Sequence, residues 1–175
     1  MIKDIKKIDA YMFFAVMACS PEKLLEFSMS YAAAAGSGIL MKSGVIDFTQ
    51  YSSYYNMEMG SGIIKQLFLS DKIIKCHEIG KYKRISNLIE SESSKNGCRT
   101  VNIDPGYVNT GQVVLATTKY SPHRLPIDAE LWAEITLIRH KKSWFPLLWT
   151  YKDYASDRFT AFFDEARKLI KEKKA

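Results

Sequence analysis

A chain of 175 residues with 47% hydrophobic and 25% charged side chains has an ordinary globular composition and is long enough for one domain whose core needs no staples. Its 25 Lys and Arg against 19 Asp and Glu give a formal charge of +6, which favours anionic partners, but the basic residues are spread along the chain without a recognised nucleic-acid-binding motif. The three cysteines, Cys19, Cys76 and Cys98, are scattered, odd in number and form no metal-ligand pair, so reduced thiols in a cytoplasmic protein are expected.

In chain order, Lys3, Lys6 and Lys7 precede an apolar segment from Ile8 to Cys19 that invites comparison with a signal peptide. The segment contains Asp9, is only about a dozen residues long and leads straight into a capped helix. A buried strand is therefore expected, with Tyr11 to Ala18 covered on both faces, and no membrane span. Ser20, Pro21 and Glu22 supply an N-cap, a proline at the first helical position and an acid in the first turn of a helix that runs through the alanines to Gly36. Ile39 to Phe48 returns to extended character, interrupted at Gly44, and Thr49 to Gly62, rich in Tyr, Ser and Gly, predicts a functional or flexible loop.

Ile63 to Leu69 reads as a second buried strand, with Asp71 placed to cap the helix after it. That helix carries Ile79, Tyr82, Ile85, Leu88 and Ile89 as its apolar stripe, is weakened at its start by Gly80, and dissolves in the polar turn 91–97. From Arg99 to Tyr107 the chain reads Arg-Thr-Val-Asn-Ile-Asp-Pro-Gly-Tyr. Val101 and Ile103 alternate with Asn102 and Asp104, the pattern of a strand with one buried face. The strand is expected to stop at Pro105, which cannot donate to a ladder, and to turn at Gly106. Asp104 then sits where a strand opens into a turn, although Asp-Pro-Gly-Tyr in isolation is also a frequent plain turn. Its company favours function: Thr117, Thr118, Lys119, His123 and Arg124 follow within twenty residues, a mixture of donors and cations suited to an anionic ligand.

Leu131, Ala133, Ile135 and Leu137 alternate with Trp132, Glu134, Thr136 and Ile138, predicting a strand with Glu134 and Thr136 on a shared face. His140 to Ser143 turns it into a hairpin partner over Trp144 to Trp149. Ser156 caps a terminal helix with Phe159, Phe162, Phe163, Ala166, Leu169 and Ile170 on one stripe, and the basic run from Lys168 to Lys174 suits its C-terminal end. The order up to the Asp104 strand is β-α-β-β-α-β. The expected fold is α+β: a ferredoxin-like core whose antiparallel sheet is extended by a C-terminal hairpin and a terminal helix, in a single domain over residues 1–175.

Several motifs together resemble the DUF4416 family, uncharacterised bacterial proteins that automated naming often calls GTP-binding. They are Asp47-Phe-Thr49, Tyr54-Tyr55 with Glu58-Met-Gly60, Lys83 with Ser86, Asn87 and Glu90, Asn102 to Tyr107, Leu115 to Lys119 with His123 and Arg124, Ala133 to Leu137, and Trp149 to Tyr151 with Asp153 and Tyr154. The chain departs from the family pattern in a longer stretch between Thr49 and Tyr54, and in Glu130-Leu-Trp132 where Gly-Ile-Tyr is expected. The resemblance carries no reaction. The GTP label also fails a chemical test, because the sequence has no G-x-x-x-x-G-K-[ST] to surround phosphates with backbone amides and no Asn-Lys-x-Asp to read guanine.

An enzyme reading gathers His123, Asp104 and Glu134 as catalytic groups. Histidine is the side chain that exchanges protons near neutral pH, and the two carboxylates could serve as bases or hold magnesium. Ligand-binding positions are expected at Asp47, Thr49, Tyr54, Tyr55, Glu58, Asn102, Tyr107, Thr117, Lys119 and Arg124. Lys119 and Arg124 hold the anion, and Asp47, Glu58, Asp104, Lys119 and Glu134 are predicted to converge. The ligand expected is an anionic, phosphate-bearing small molecule or nucleotide, with a divalent metal as an option; the cofactor and the oligomeric state are open. The alternatives are a nucleic-acid-binding module, in which the aromatics from Tyr51 to Tyr151 stack on bases, and a protein-interaction scaffold.

Overall fold

The computed structural model describes residues 9–173; Lys3, Lys6, Lys7, Ile8 and Lys174 fall outside them. The elements are β1 (Asp9–Ala18), α1 (Pro21–Ala34), β2 (Ile39–Lys42), β3 (Ile46–Asp47), a single-turn α2 (Asn56–Met59), β4 (Ile64–Lys75), α3 (Ile79–Glu92), β5 (Val101–Val108), β6 (Gln112–Thr117), β7 (Leu125–Pro126), β8 (Trp132–His140), β9 (Ser143–Pro146) and α4 (Asp157–Glu172). This is a mixed α+β fold whose strands form one sheet, nine-stranded among the described residues, in the order β2-β4-β1-β5-β6-β8-β7, with β3 on β4 and β9 on β8. Every pairing in it is antiparallel. Among the described residues no helix is long and apolar enough to cross a membrane.

The continuous apolar run of β1 has the cause its sequence suggested. Ala10, Met12, Phe14, Val16 and Ala18 face a core shared with Leu24 and Tyr31 of α1 and Ile79 and Tyr82 of α3. Tyr11, Phe13 and Ala15 face a second core built on Phe159, Phe162, Phe163 and Ala166 of α4. The sheet is thus sandwiched, α1 and α3 on one side and α4 on the other, with Phe14 at 4.6 Å from Tyr31 and Phe13 at 5.0 Å from Phe163, ring centre to ring centre.

Four local expectations are corrected. Asp71 caps no helix: β4 runs on to Lys75 through a bulge opposite β1, and the Asp71 carboxylate accepts from the Gly38 amide at 2.9 Å. Ser156 stands at the N-cap of α4, but its hydroxyl donates to the Asp153 carbonyl instead of capping. In β8 the alternation breaks at Thr136, where a bulge opposite Val113 and Val114 turns Leu137 away from Ile135 and into the α4 core.

The course of β5 past Pro105 is the fourth difference, and it positions the site. The Asp104 strand does not stop at Pro105; β5 continues along β1 to Val108, and the turn comes at Asn109, whose side chain accepts from Gly111 and Gln112. Gly106 is there for proximity, since a methyl group on it would lie 2.6 Å from Phe13 Cζ and closer still to the Val114 carbonyl. What ends at Pro105 is the ladder on the other flank, because β6 pairs with β5 only from Gly106 to Val108. Hydrogen-bonded pairs in an antiparallel ladder recur at every second residue. The series that starts with the Asn109 amide on the Gln112 carbonyl would place the next bonds at Tyr107 and then at Pro105, which has no N–H. Beyond that point β5 keeps β1, β6 keeps β8, and the two strands part.

Candidate functional site

The backbone of Ile103 would have bonded to the continuation of β6, and buried polar backbone needs a partner. Side chains from α3 supply it. The Ile103 amide donates to Glu90 Oε1 at 2.8 Å, and Lys83 Nζ donates to the Ile103 carbonyl at 3.0 Å. Lys83 and Glu90 are seven apart, two turns of one helix face, and lie 3.8 Å from each other.

The gap between the parted strands is a cavity of about 100 Å³ lined by Asn102 and Asp104 of β5, Leu115 to Lys119 along and after β6, Lys83 and Glu90 of α3, Glu134 of β8, and Asp153 and Tyr154 before α4. That is room for several waters or a small molecule. Its charged lining comprises four carboxylates (Glu90, Asp104, Glu134, Asp153) and five cations (Lys65, Lys83, Arg99, Lys119, Arg124).

Most of these charges are committed. Arg99 grips Glu58 of α2 bidentately at 2.6 and 2.7 Å and donates to Asn102 Oδ1 at 2.8 Å, while Asn102 donates to Asp104 Oδ2 at 2.7 Å. Lys83 approaches Asp104 Oδ1 at 3.4 Å, and the buried Lys65 and Asp153 pair at 2.6 Å. Arg124 spends its whole fork on the protein: Nε on Glu134 Oε2 at 2.7 Å, Nη1 on the Lys119 carbonyl at 2.8 Å and Nη2 on the Tyr151 hydroxyl at 3.0 Å. His123 stacks on Trp149 with ring centres 4.9 Å apart, and its Nε2 is 3.1 Å from Glu134 Oε2. Lys119 differs. Its Nζ hydrogen-bonds the Tyr54 hydroxyl at 3.4 Å and lies over the faces of Tyr54 and Tyr55; its charge acts on Glu58, but among the described residues no carboxylate forms an ion pair with it.

Of the residues nominated from sequence, Tyr55, Asn102, Asp104, Thr117, Lys119, Arg124 and Glu134 line this one cavity. Glu58 reaches it through Arg99, Tyr54 through Lys119 and His123 through Glu134. Asp47 and Thr49 are absent from the lining and bond to each other, the Thr49 hydroxyl donating to Asp47 Oδ1 at 2.5 Å. Tyr107 is also absent and lies in the core under α1 and α3, its hydroxyl accepting from Gln112 at 3.0 Å. Sequence reasoning did not nominate Lys65, Lys83, Glu90, Arg99, Asp153 and Tyr154 for the site. For α3 the signal was present, because Lys83, Asn87 and Glu90 fall on one helix face. Among the described residues no three His, Cys, Asp or Glu side chains converge as a metal site, so Asp104 and Glu134 do not form one with a third ligand.

The two acids nearest Lys83 titrate in opposite directions. Burial pushes Asp104 up, but Lys83, Lys65 and the Asn102 amide outweigh it and hold the carboxyl below its ordinary value of 3.8. Burial also pushes Glu90 up, Asp104 adds to the push, and Lys83, the Ile103 amide and Arg99 offset only part, leaving it above 4.5. A raised folded pKa favours the folded state below the unfolded value and loses that contribution as pH rises through the folded one; a lowered pKa does the reverse. Stability is therefore expected to rise as pH falls from neutrality toward 4.5, where Glu90 takes up its proton, and to drop below 3.8 as Asp104 is neutralised. Urea midpoints measured in pH steps check this. Glu90→Gln, which can still accept from Ile103, should remove the rise and keep the drop.

A family model described as "Domain of unknown function (DUF4416)" matches residues 9–169. No curated protein and no solved structure matches the chain.

Proposed function

The chain belongs to the DUF4416 family, a family of unknown function, and from that premise we propose on the site's chemistry alone that it binds a small anionic molecule in the cavity between β5 and β6. The observation that carries the reading is Lys119: in a lining where the other cations are matched to carboxylates, it is the ammonium left for a ligand. Phosphate-bearing molecules, nucleotides included, are the anions to test first, with magnesium as a companion that Asp104 or Glu134 would hold through ligand oxygens. His123, beside Glu134, is the group that would move a proton if the ligand reacts. The order β1-α1-β2-β4-α3-β5, with the two-residue β3 and single-turn α2 as an insertion before β4, and the β2-β4-β1-β5 half of the sheet support a ferredoxin-like core to which β6 to β9 and α4 are added. Cys19 and Cys98 stand as thiols, which fits a cytoplasmic setting. The competing reading, stacking of nucleic-acid bases, rests on the exposed rings of Tyr54 and Tyr151 beside Lys119 and Arg124.

Thermal unfolding with inorganic phosphate, sugar phosphates, nucleotides, oligonucleotides and divalent metals tests this. A ligand present at one hundred times its Kd stabilises by about 2.7 kcal/mol, or roughly 5–10 °C in a domain of this size. Lys119→Ala should weaken that ligand roughly 10- to 100-fold, the scale of one charge-assisted hydrogen bond. A panel that shifts nothing sinks the anion reading, and a shift by oligonucleotides alone transfers it to nucleic acid.

A further inference from the structure

Among the described residues six buried side-chain polar atoms lack a protein hydrogen-bond partner, and two of them, Glu134 Oε1 and the Tyr154 hydroxyl, belong to residues lining the cavity. Both residues are sealed, Glu134 at 2% and Tyr154 at 1% exposure. Leaving such groups without a partner is costly, so each calls for one. Their demands differ. A carboxylate oxygen takes a donor, whereas a phenol can give a proton as well as accept one.

Resting on the anion-binding reading of this cavity, we infer that its ligand is a small hydroxylated anion, its charged group toward Lys119 and its hydroxyls donating to Glu134 and accepting from Tyr154. A hydroxyl group satisfies both demands. An ammonium could donate to Glu134 but not accept from Tyr154. It would also bring another cation to a wall where Arg124 already lies 2.7 Å from Glu134 and Lys65 lies 4.4 Å from the centre of the Tyr154 ring. Burial raises the Tyr154 hydroxyl well above its ordinary pKa, with Asp104, Asp153 and Glu134 adding to the rise, so the phenol shares one field with these carboxylates and keeps the proton it would donate. A phosphate ester of a polyol and a hydroxy acid share this chemistry.

Calorimetry with matched pairs tests the inference: glycerol 3-phosphate against propyl phosphate, and glycerate against propionate, with phosphoethanolamine as the ammonium control. The hydroxylated member of one pair should bind roughly 10-fold or more tightly than its deoxy partner, because a site built around a hydroxyl penalises its absence; which pair responds tells phosphate from carboxylate. Tyr154→Phe removes a hydroxyl that the fold does not use, so the urea midpoint should hold while the hydroxylated probe weakens roughly 3- to 10-fold and the deoxy probe does not. Equal affinities within both pairs, a preference untouched by Tyr154→Phe, or tighter binding of phosphoethanolamine than of glycerol 3-phosphate overturns the hydroxyl assignment. If both members of a pair bind equally and Lys119→Ala abolishes both, the anion reading stands without it. Failure of every probe at about 10 mM, ten times a weak 1 mM Kd, overturns the hydroxyl assignment, and the anion reading falls with it only if the thermal-unfolding panel also shifts nothing.

Discussion

Asp153→Ala is expected to destabilise the fold by about 3 kcal/mol, toward the lower end of the 3–5 kcal/mol typical when one partner of a buried ion pair is removed. Lys65 and Asp153 come from β4 and the turn before α4, their side chains are 5% and 2% exposed, and 2.6 Å separates Nζ from Oδ2. Without the carboxylate the ammonium stays inside, facing the rings of Tyr154 at 4.4 Å and Phe48 at 5.3 Å. Those faces return roughly 0.5–2 kcal/mol, which is why the upper end is not expected. Urea unfolding measures the loss, and the double variant Lys65→Met, Asp153→Leu should recover most of it, since an apolar pair of similar volume avoids desolvating two charges. A single variant as stable as the parent would mean that Lys65 reaches water or another carboxylate.

Gly106→Ala should cost at least as much, about 3 kcal/mol or more, because the new methyl group meets the Val114 backbone oxygen and the Phe13 ring at 2.6 Å, and backbone cannot rotate aside as a side-chain tip can. Gly80→Ala is the internal control. Its methyl group would meet Leu131 Cδ1 at 3.4 Å, an ordinary contact, and within α3 alanine gains up to about 1 kcal/mol over glycine. Opposite signs for the two substitutions, read from urea midpoints, would separate crowding at the sheet from helix propensity. A mild Gly106→Ala would show that β5 and β6 can move apart beyond the cavity as well.

What could be read from the residues was what depends on near neighbours in sequence. The unbroken run of β1 announced burial on both faces, and the stripe from Phe159 to Ile170 announced α4. Pro105 was identified as an interruption, but the whole strand was expected to end there: a missing N–H breaks only the ladder it faces, and which ladder that is depends on where β1 and β6 lie. Leu137 was placed with Ile135 because alternation is blind to a bulge at Thr136. Lys65 was passed over inside the strand expected from Ile63 to Leu69, since its partner Asp153 is 88 residues away. Asp104, Lys119, Arg124 and Glu134 could be singled out because charged residues stand out in or just after apolar strands, and they line one cavity, whereas Asp47 and Thr49 satisfy each other locally and Tyr107 packs in the core.

The parted strands also bear on self-association. A strand whose N–H and C=O groups have no ladder is a template on which a foreign strand can grow, and β5 carries such a stretch inside the sheet rather than at its rim. Glu90 and Lys83 occupy the Ile103 donor and acceptor, and Pro105 deletes the next donor along. The polar residues that line the gap thus also occupy backbone groups that a strand from another copy of the chain would need.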